Sequence, residues 1–156
     1  MIDTPKIVQT DERPTAFIHL TIPRGDAPKV MGPTLQELVA AVAAQGVSVA
    51  GPWFAHHRKM SPGTFDFEVS VPVSKKIAAA GRVQPGIWPA MKVARTLLHG
   101  GYEGLGTAWV ELDAWVKANG HQPAEDLWEV YTKGPESSGD PAAWRTELSR
   151  PVTDRG

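Results

Sequence analysis

The sequence predicts an α+β fold made by tandem duplication of one strand-helix-strand-strand unit. Stretches that alternate apolar and polar residues, as half-buried strands do, surround two longer stretches of helical periodicity, and this order occurs twice. Phe67-Glu68-Val69-Ser70-Val71-Pro72-Val73 lines up with Thr146-Glu147-Leu148-Ser149-Arg150-Pro151-Val152, with four of the seven positions identical. Gly46 and Gly120 close the two helices at matching places, and the same spacing pairs Phe54 with Trp128, Ala55 with Glu129 and His57 with Tyr131. Each unit is expected to be one helix on a small antiparallel sheet. The expected organisation is one domain over residues 1–156, with halves at about 6–73 and 91–152 joined by a linker at 74–90 and paired about a pseudo-two-fold.

In chain order, Lys6 to Thr10 reads as a strand, Asp11 to Pro14 as a turn and Thr15 to Ile22 as a second strand. Pro23 to Pro28, with Gly25 and Asp26, reads as a loop. Thr34 is the expected N-cap of a helix from Leu35 to Gln45, with Leu35, Leu38, Val39 and Val42 as its apolar stripe. A strand from Val49 to His57 follows, begun or kinked at Gly51-Pro52. Ser61-Pro62-Gly63 turns the chain into the strand Thr64 to Val71. Ser74 to Ala80 suits a short helix, and the glycines and prolines from Gly81 to Pro89 make the rest a connector. Met91 to His99 is a strand, Tyr102 or Glu103 to Ala118 the longest helix, and Leu127 to Tyr131 a short strand of strong β-formers. After a polar loop from Gly134 to Pro141 comes the last strand, Trp144 to Leu148, and a frayed tail from Thr153.

Composition excludes several classes. The chain is 42% hydrophobic and 21% charged, with 16 basic and 17 acidic residues and a formal charge of −1. Without a basic cluster, direct nucleic-acid binding is not expected. The absence of cysteine removes disulfides, thiolate metal sites and thiol catalysis. The longest apolar run, Leu38 to Ala44, is too short to span a membrane, and the N-terminus lacks a signal-peptide pattern, so a cytoplasmic location is expected. His56 and His57 are adjacent on a strand and point to opposite faces, so no metal site and no cofactor are expected.

Glu129 is the most informative residue. A carboxylate between Leu127 and Tyr131 on a buried strand face is costly unless it meets a partner or a ligand. The equivalent strand presents Trp53, Ala55 and His57, so the repeat breaks at alanine against glutamate. An acid facing an aromatic cleft suits a ligand with an aromatic body and a positive charge. Phe65 and Trp144 occupy equivalent strand positions and can serve core or pocket. Trp88 can cover a pocket or a sheet edge, and Trp109 and Trp115 are assigned to helix packing.

Four motifs in order then resemble a known family: Trp88-Pro89-Ala90-Met91-Lys92-Val93-Ala94, His99-Gly100-Gly101-Tyr102-Glu103-Gly104-Leu105, Trp128-Glu129-Val130-Tyr131 and Trp144-Arg145-Thr146-Glu147-Leu148. They resemble the GyrI-like small-molecule-binding family, the effector-binding domain of AraC-type and multidrug-sensing MerR-type bacterial regulators. The resemblance runs from about Lys6 to Val152. It implies a pair of SHS2-type strand-helix-strand-strand units and a central pocket for hydrophobic, often cationic aromatic compounds. It implies Glu129 as the ligand-facing acid, with Tyr102 and Trp144 among the ligand contacts. The chain departs from the family at Gly100-Gly101, where glycine-proline is usual, and at His56-His57, where arginine-tyrosine is common.

The expected function is that of a stand-alone small-molecule-binding protein, with Glu129, Tyr131, Tyr102, Trp144, His57, Trp53, Trp88 and Phe65 as ligand contacts. One family branch implies an alternative, hydrolysis of cyclopropane-containing DNA-alkylating natural products by Glu129 and Tyr102. A third reading is a protein-interaction role, as a gyrase inhibitor or the effector subunit of a regulator.

Overall fold

The computed structural model describes residues 2–60, 63–134 and 138–154. It contains nine strands and two α-helices among these residues, and every described strand pairing is antiparallel. The strands are β1 (Lys6–Gln9), β2 (Arg13–Pro23), β3 (Phe54–Met60), β4 (Thr64–Pro72), β5 (Gln84–Trp88), β6 (Lys92–His99), β7 (His121–Pro123), β8 (Leu127–Lys133) and β9 (Arg145–Asp154). The helices are α1 (Ala27–Ala44) and α2 (Leu105–Ala118). The expected α+β class holds. No helix among the described residues is long and apolar enough to cross a membrane.

The chain forms two compact units. One is continuous, Asp11–Ala90; the other joins Met1–Thr10 to Met91–Gly156. In the continuous unit the strand order is β3-β4-β2-β5, and α1 packs on β2 and β4. In the discontinuous unit the order is β8-β9-β6-β1, with β7 also on β9, and α2 packs on β6, β7 and β9. Each unit is thus a strand, a short 3-10 turn, a helix and a two-stranded hairpin, with one further strand beside the first (β5 on β2, β1 on β6), and the discontinuous unit adds β7.

The duplication extends to register. In β3–β4, Phe54, Ala55 and His56 oppose Ser70, Val69 and Glu68; in β8–β9, Trp128, Glu129 and Val130 oppose Ser149, Leu148 and Glu147. Both hairpins then lose register, between His57 and Lys59 and between Val130 and Lys133. The helices end at Gly46 and Gly120, both in the left-handed region at φ 69° and 81°, which favours glycine. The buried stripes match at the same spacing: Thr34, Leu38 and Val42 in α1, and Ala108, Leu112 and Val116 in α2. Leu112 and Val116 join Ala94, Leu98, Leu127 and Leu148 in the core of the discontinuous unit. Full burial of each such Leu or Val contributes about 1.5–3 kcal/mol.

Several boundaries differ from expectation, each for a local reason. The first helix begins at Ala27, not Leu35, so Thr34 is a buried interior residue and no N-cap. Pro28 sits in the first turn, where its missing N–H costs nothing, and Pro33 is tolerated inside. Of the expected stripe, Val39 is exposed. β2 already includes Arg13 and Pro14, read as turn. Val49 makes only an isolated bridge to Val73, and the strand proper starts at Phe54. Ser61 and Pro62 lie outside the described residues, as do 135–137 of the polar loop and the last two residues of the tail.

No helix forms at Ser74–Ala80, and the connector contains a strand, β5, which pairs with β2. Pro85 is compatible with that position because β5 pairs on one side only. Gly86 is required by close packing: a Cβ there would come within 2.7 Å of Phe17 and 2.8 Å of Thr15 Oγ1. The short β7 was not anticipated, and β9 continues past Leu148 through Thr153, which is therefore not frayed.

Candidate functional site

In the discontinuous unit, Glu129 sits on β8 at 7% exposure, on the sheet face that carries Leu127 toward the α2 core. Both carboxylate oxygens accept hydrogen bonds. Trp109 Nε1–H on α2 donates to Oε2 at 2.7 Å, and the Tyr131 hydroxyl donates to Oε1 at 2.8 Å. Alternation along β8 puts Tyr131 on the same face, and the helix brings Trp109 over it. Both donors are neutral groups.

Tyr131 is buried at 7% exposure, and its hydroxyl is held well above the usual tyrosine range. Burial is the first cause, followed by the adjacent Glu129 charge, the hydrogen bond to it, and Tyr102. Tyr131 therefore remains a donor through the physiological range. Its ring meets Tyr102 edge-on at 5.7 Å, and Tyr102 lies 5.0 Å from Trp144 at a 39° tilt. Trp144 Nε1–H donates to the Ser138 carbonyl at 2.9 Å, which fixes the indole. Tyr102 and Trp144 are half-buried, so the cluster grades from a buried acid to an accessible aromatic rim.

Trp109 is itself held. The Arg150 guanidinium lies 5.0 Å from the centre of its indole ring. Arg150 makes two 3.0 Å bonds to Asp113, one helical turn after Trp109, and donates to the carbonyls of Ala124 at 3.1 Å and Asp126 at 3.2 Å. A cation over the π face draws density from the indole and strengthens its N–H as a donor.

The sequence reading placed Glu129, Tyr131, Tyr102 and Trp144 in the site, and the structure brings these four together. It missed Trp109, assigned to packing, and Arg150. The signal was present in the repeat. Trp109, Asp113, Glu129 and Arg150 stand where the first half has Leu35, Val39, Ala55 and Val71. The residues that build the acid site are those at which the repeat fails.

The other four expected contacts lie in the continuous unit. His57 stacks on Phe67 at 5.0 Å and meets Phe65 edge-on at 5.2 Å, and the Arg24 guanidinium lies 4.6 Å from the Phe65 ring centre. Trp88 is buried on the other face of its sheet, edge-on to Phe54 at 5.0 Å and under the Arg13 guanidinium at 5.0 Å. Trp53 is half-buried just before β3. An open recess of about 520 Å³ in this unit is lined by Glu12, Arg13, Pro14, Lys76, Pro85, Gly86 and Ile87 and includes none of the expected contacts. No cluster of three or more His, Asp or Glu side chains able to hold a metal occurs among the described residues.

The crystal structure of the EcmrR C-terminal domain superposes with a TM-score of 0.87 at 22% identity, over 97% of this chain and 98% of that domain. In the EcmrR–DNA complex the chain spans 58% of the EcmrR chain, at the same TM-score and identity. A hydrolase encoded by lin2189 from Listeria innocua matches with a TM-score of 0.69 at 12% identity, covering 96% of this chain and 91% of that one. SAV2435 bound to tetraphenylphosphonium matches at 0.65 and 12% identity, covering 97% and 94%. At these identities the likeness is one of fold. No curated protein sequence matches the chain. The model of the GyrI-like small molecule binding domain matches residues 3–153, and the chain belongs to that family.

Proposed function

We propose that this small-molecule-binding domain takes lipophilic aromatic cations, with Glu129 recognising the charge. The observation that carries the reading is a buried carboxylate held by two neutral donors at the inner end of an aromatic cluster. An ionised carboxylate at that depth gains most from a cation that sheds its own hydration cheaply, which favours diffuse charge on an apolar body. Tyr131, Tyr102 and Trp144 supply faces and edges for such a body. The tetraphenylphosphonium bound by SAV2435 is a ligand of this kind. His57, Phe65 and Trp53, and separately Trp88 on the opposite sheet face, are further proposed contacts.

The 2.8 Å Tyr131–Glu129 contact also favours a second reading, hydrolysis of a strained ring with Glu129 as general base and a tyrosine as proton donor. One experiment separates the two. Tryptophan fluorescence is titrated with ethidium and tetraphenylphosphonium, and a cyclopropane-bearing alkylator is incubated with the protein and weighed by mass spectrometry. Saturable quenching that weakens at least tenfold in Glu129→Gln supports cation binding. Unchanged affinity in that variant overturns the role of the acid. A hydrated alkylator lost in Glu129→Gln establishes the enzyme.

A further inference from the structure

Thr146, on β9, is fully buried, and its hydroxyl has no hydrogen-bond partner among the described residues. Buried hydroxyls are normally paired, and a desolvated orphan destabilises the fold that holds it. Leu148 opposes Glu129, so Leu148 and Thr146, two apart on β9, share the Glu129 face of the sheet. Val130 pairs with Glu147 and Lys133 with Arg145, so the intervening Tyr131 and Thr132 face Thr146 across the bulge. Thr132 Oγ1 turns instead to the Arg145 carbonyl at 2.9 Å. The orphan hydroxyl therefore lies beside Tyr131, the residue that donates to Glu129. In the first half the equivalent residue is Phe67, stacked on His57. A polar side chain thus stands where the duplicated unit packs an aromatic ring.

We infer that Thr146 is a ligand-binding residue of the acid site, its hydroxyl pairing with a hydrogen-bonding group on the cation's aromatic body. The inference rests on the cation-binding reading and adds a preference: ligands with an amino or hydroxyl substituent near the charge are bound more tightly than bare aromatic cations of the same shape. A hydroxyl both donates and accepts, so either substituent satisfies it.

The test uses Thr146→Val, which keeps the shape and removes the hydroxyl, with a matched pair of probes: ethidium, which carries two aromatic amino groups, and the parent phenanthridinium lacking both. The wild type is expected to prefer ethidium. The variant should lose about tenfold in ethidium affinity, equivalent to ~1.4 kcal/mol, and bind the parent unchanged. The ligand-free melting temperature should stay level or rise, because an unpaired buried hydroxyl has been removed. Equal change for both probes, or none for either, overturns the inference while cation binding stands. A fall of several degrees in the ligand-free melting temperature also overturns it, since the hydroxyl then serves the fold. Binding of neither probe by the wild type removes the cation reading and this inference with it.

Discussion

The indole N–H of Trp109 and the Oε2 of Glu129 are 2.7 Å apart, joining helix α2 to strand β8 through a buried carboxylate. A hydrogen bond to a charged acceptor contributes about 1.5–3 kcal/mol. Trp109→Phe keeps most of the ring and deletes the donor. It is expected to lower unfolding free energy by about 2 kcal/mol, read from the midpoint of urea denaturation at unchanged slope. Cation affinity should fall less than in Glu129→Gln, because the carboxylate remains. A larger loss in Trp109→Phe would mean that the indole, not the acid, dominates recognition.

Tyr131 sets the alkaline behaviour. In the unfolded chain its hydroxyl ionises near pH ~10, and in the native state burial and the Glu129 charge raise it well above that value. Above pH ~10 the unfolded state releases this proton while the native state retains it, so stability falls as pH rises through the native value. Denaturation measured along an alkaline series should show this loss in the wild type and lack it in Tyr131→Phe. An identical alkaline slope in both proteins would assign the loss elsewhere.

Arg150 pins the segment between β7 and β8 as well as Trp109. Its side chain is 8% exposed and that of Asp113 31%. Removing the buried partner strands several acceptors at once, whereas the acid is partly solvated. Arg150→Met is expected to cost about 3–5 kcal/mol and Asp113→Asn about 1–2, both read by urea denaturation. Tryptophan emission should shift in Arg150→Met as the cation leaves the indole face. Equal costs would show that the carbonyl bonds contribute little.

The duplication was legible because it is written in residues that repeat for structural reasons. The matching serines and glutamates of β4 and β9 hold equivalent register positions in the two hairpins, and glycine at positions 46 and 120 answers a left-handed φ. Glu129, Tyr131, Tyr102 and Trp144 were legible because each is large or charged on a strand or motif that exposes its oddity. Trp109 was not, since an aromatic on a helical stripe reads as packing until the distance to a carboxylate is known. β5 hid behind Pro85 and Gly86, whose fitness depends on pairing to one side and on Phe17 lying close. The start of α1 hid behind Pro28, whose missing N–H costs nothing in a first turn. These are tertiary facts that no local window contains.

One consequence of the discontinuous unit concerns the order of events during synthesis. β1 pairs with β6, Lys6 against Arg95, while every strand of the continuous unit is made in between. The ends of that continuous segment are stitched by Thr10 and Met91, whose backbone N–H and carbonyl meet at 2.8 Å. Closing so long a loop from an open chain carries a high entropic barrier. The barrier drops once residues 11–90 have condensed, because the loop is then a folded body. β1 thus waits, unpaired, until β6 has been made, and the acid site is assembled only after β9, which supplies Arg150, has followed.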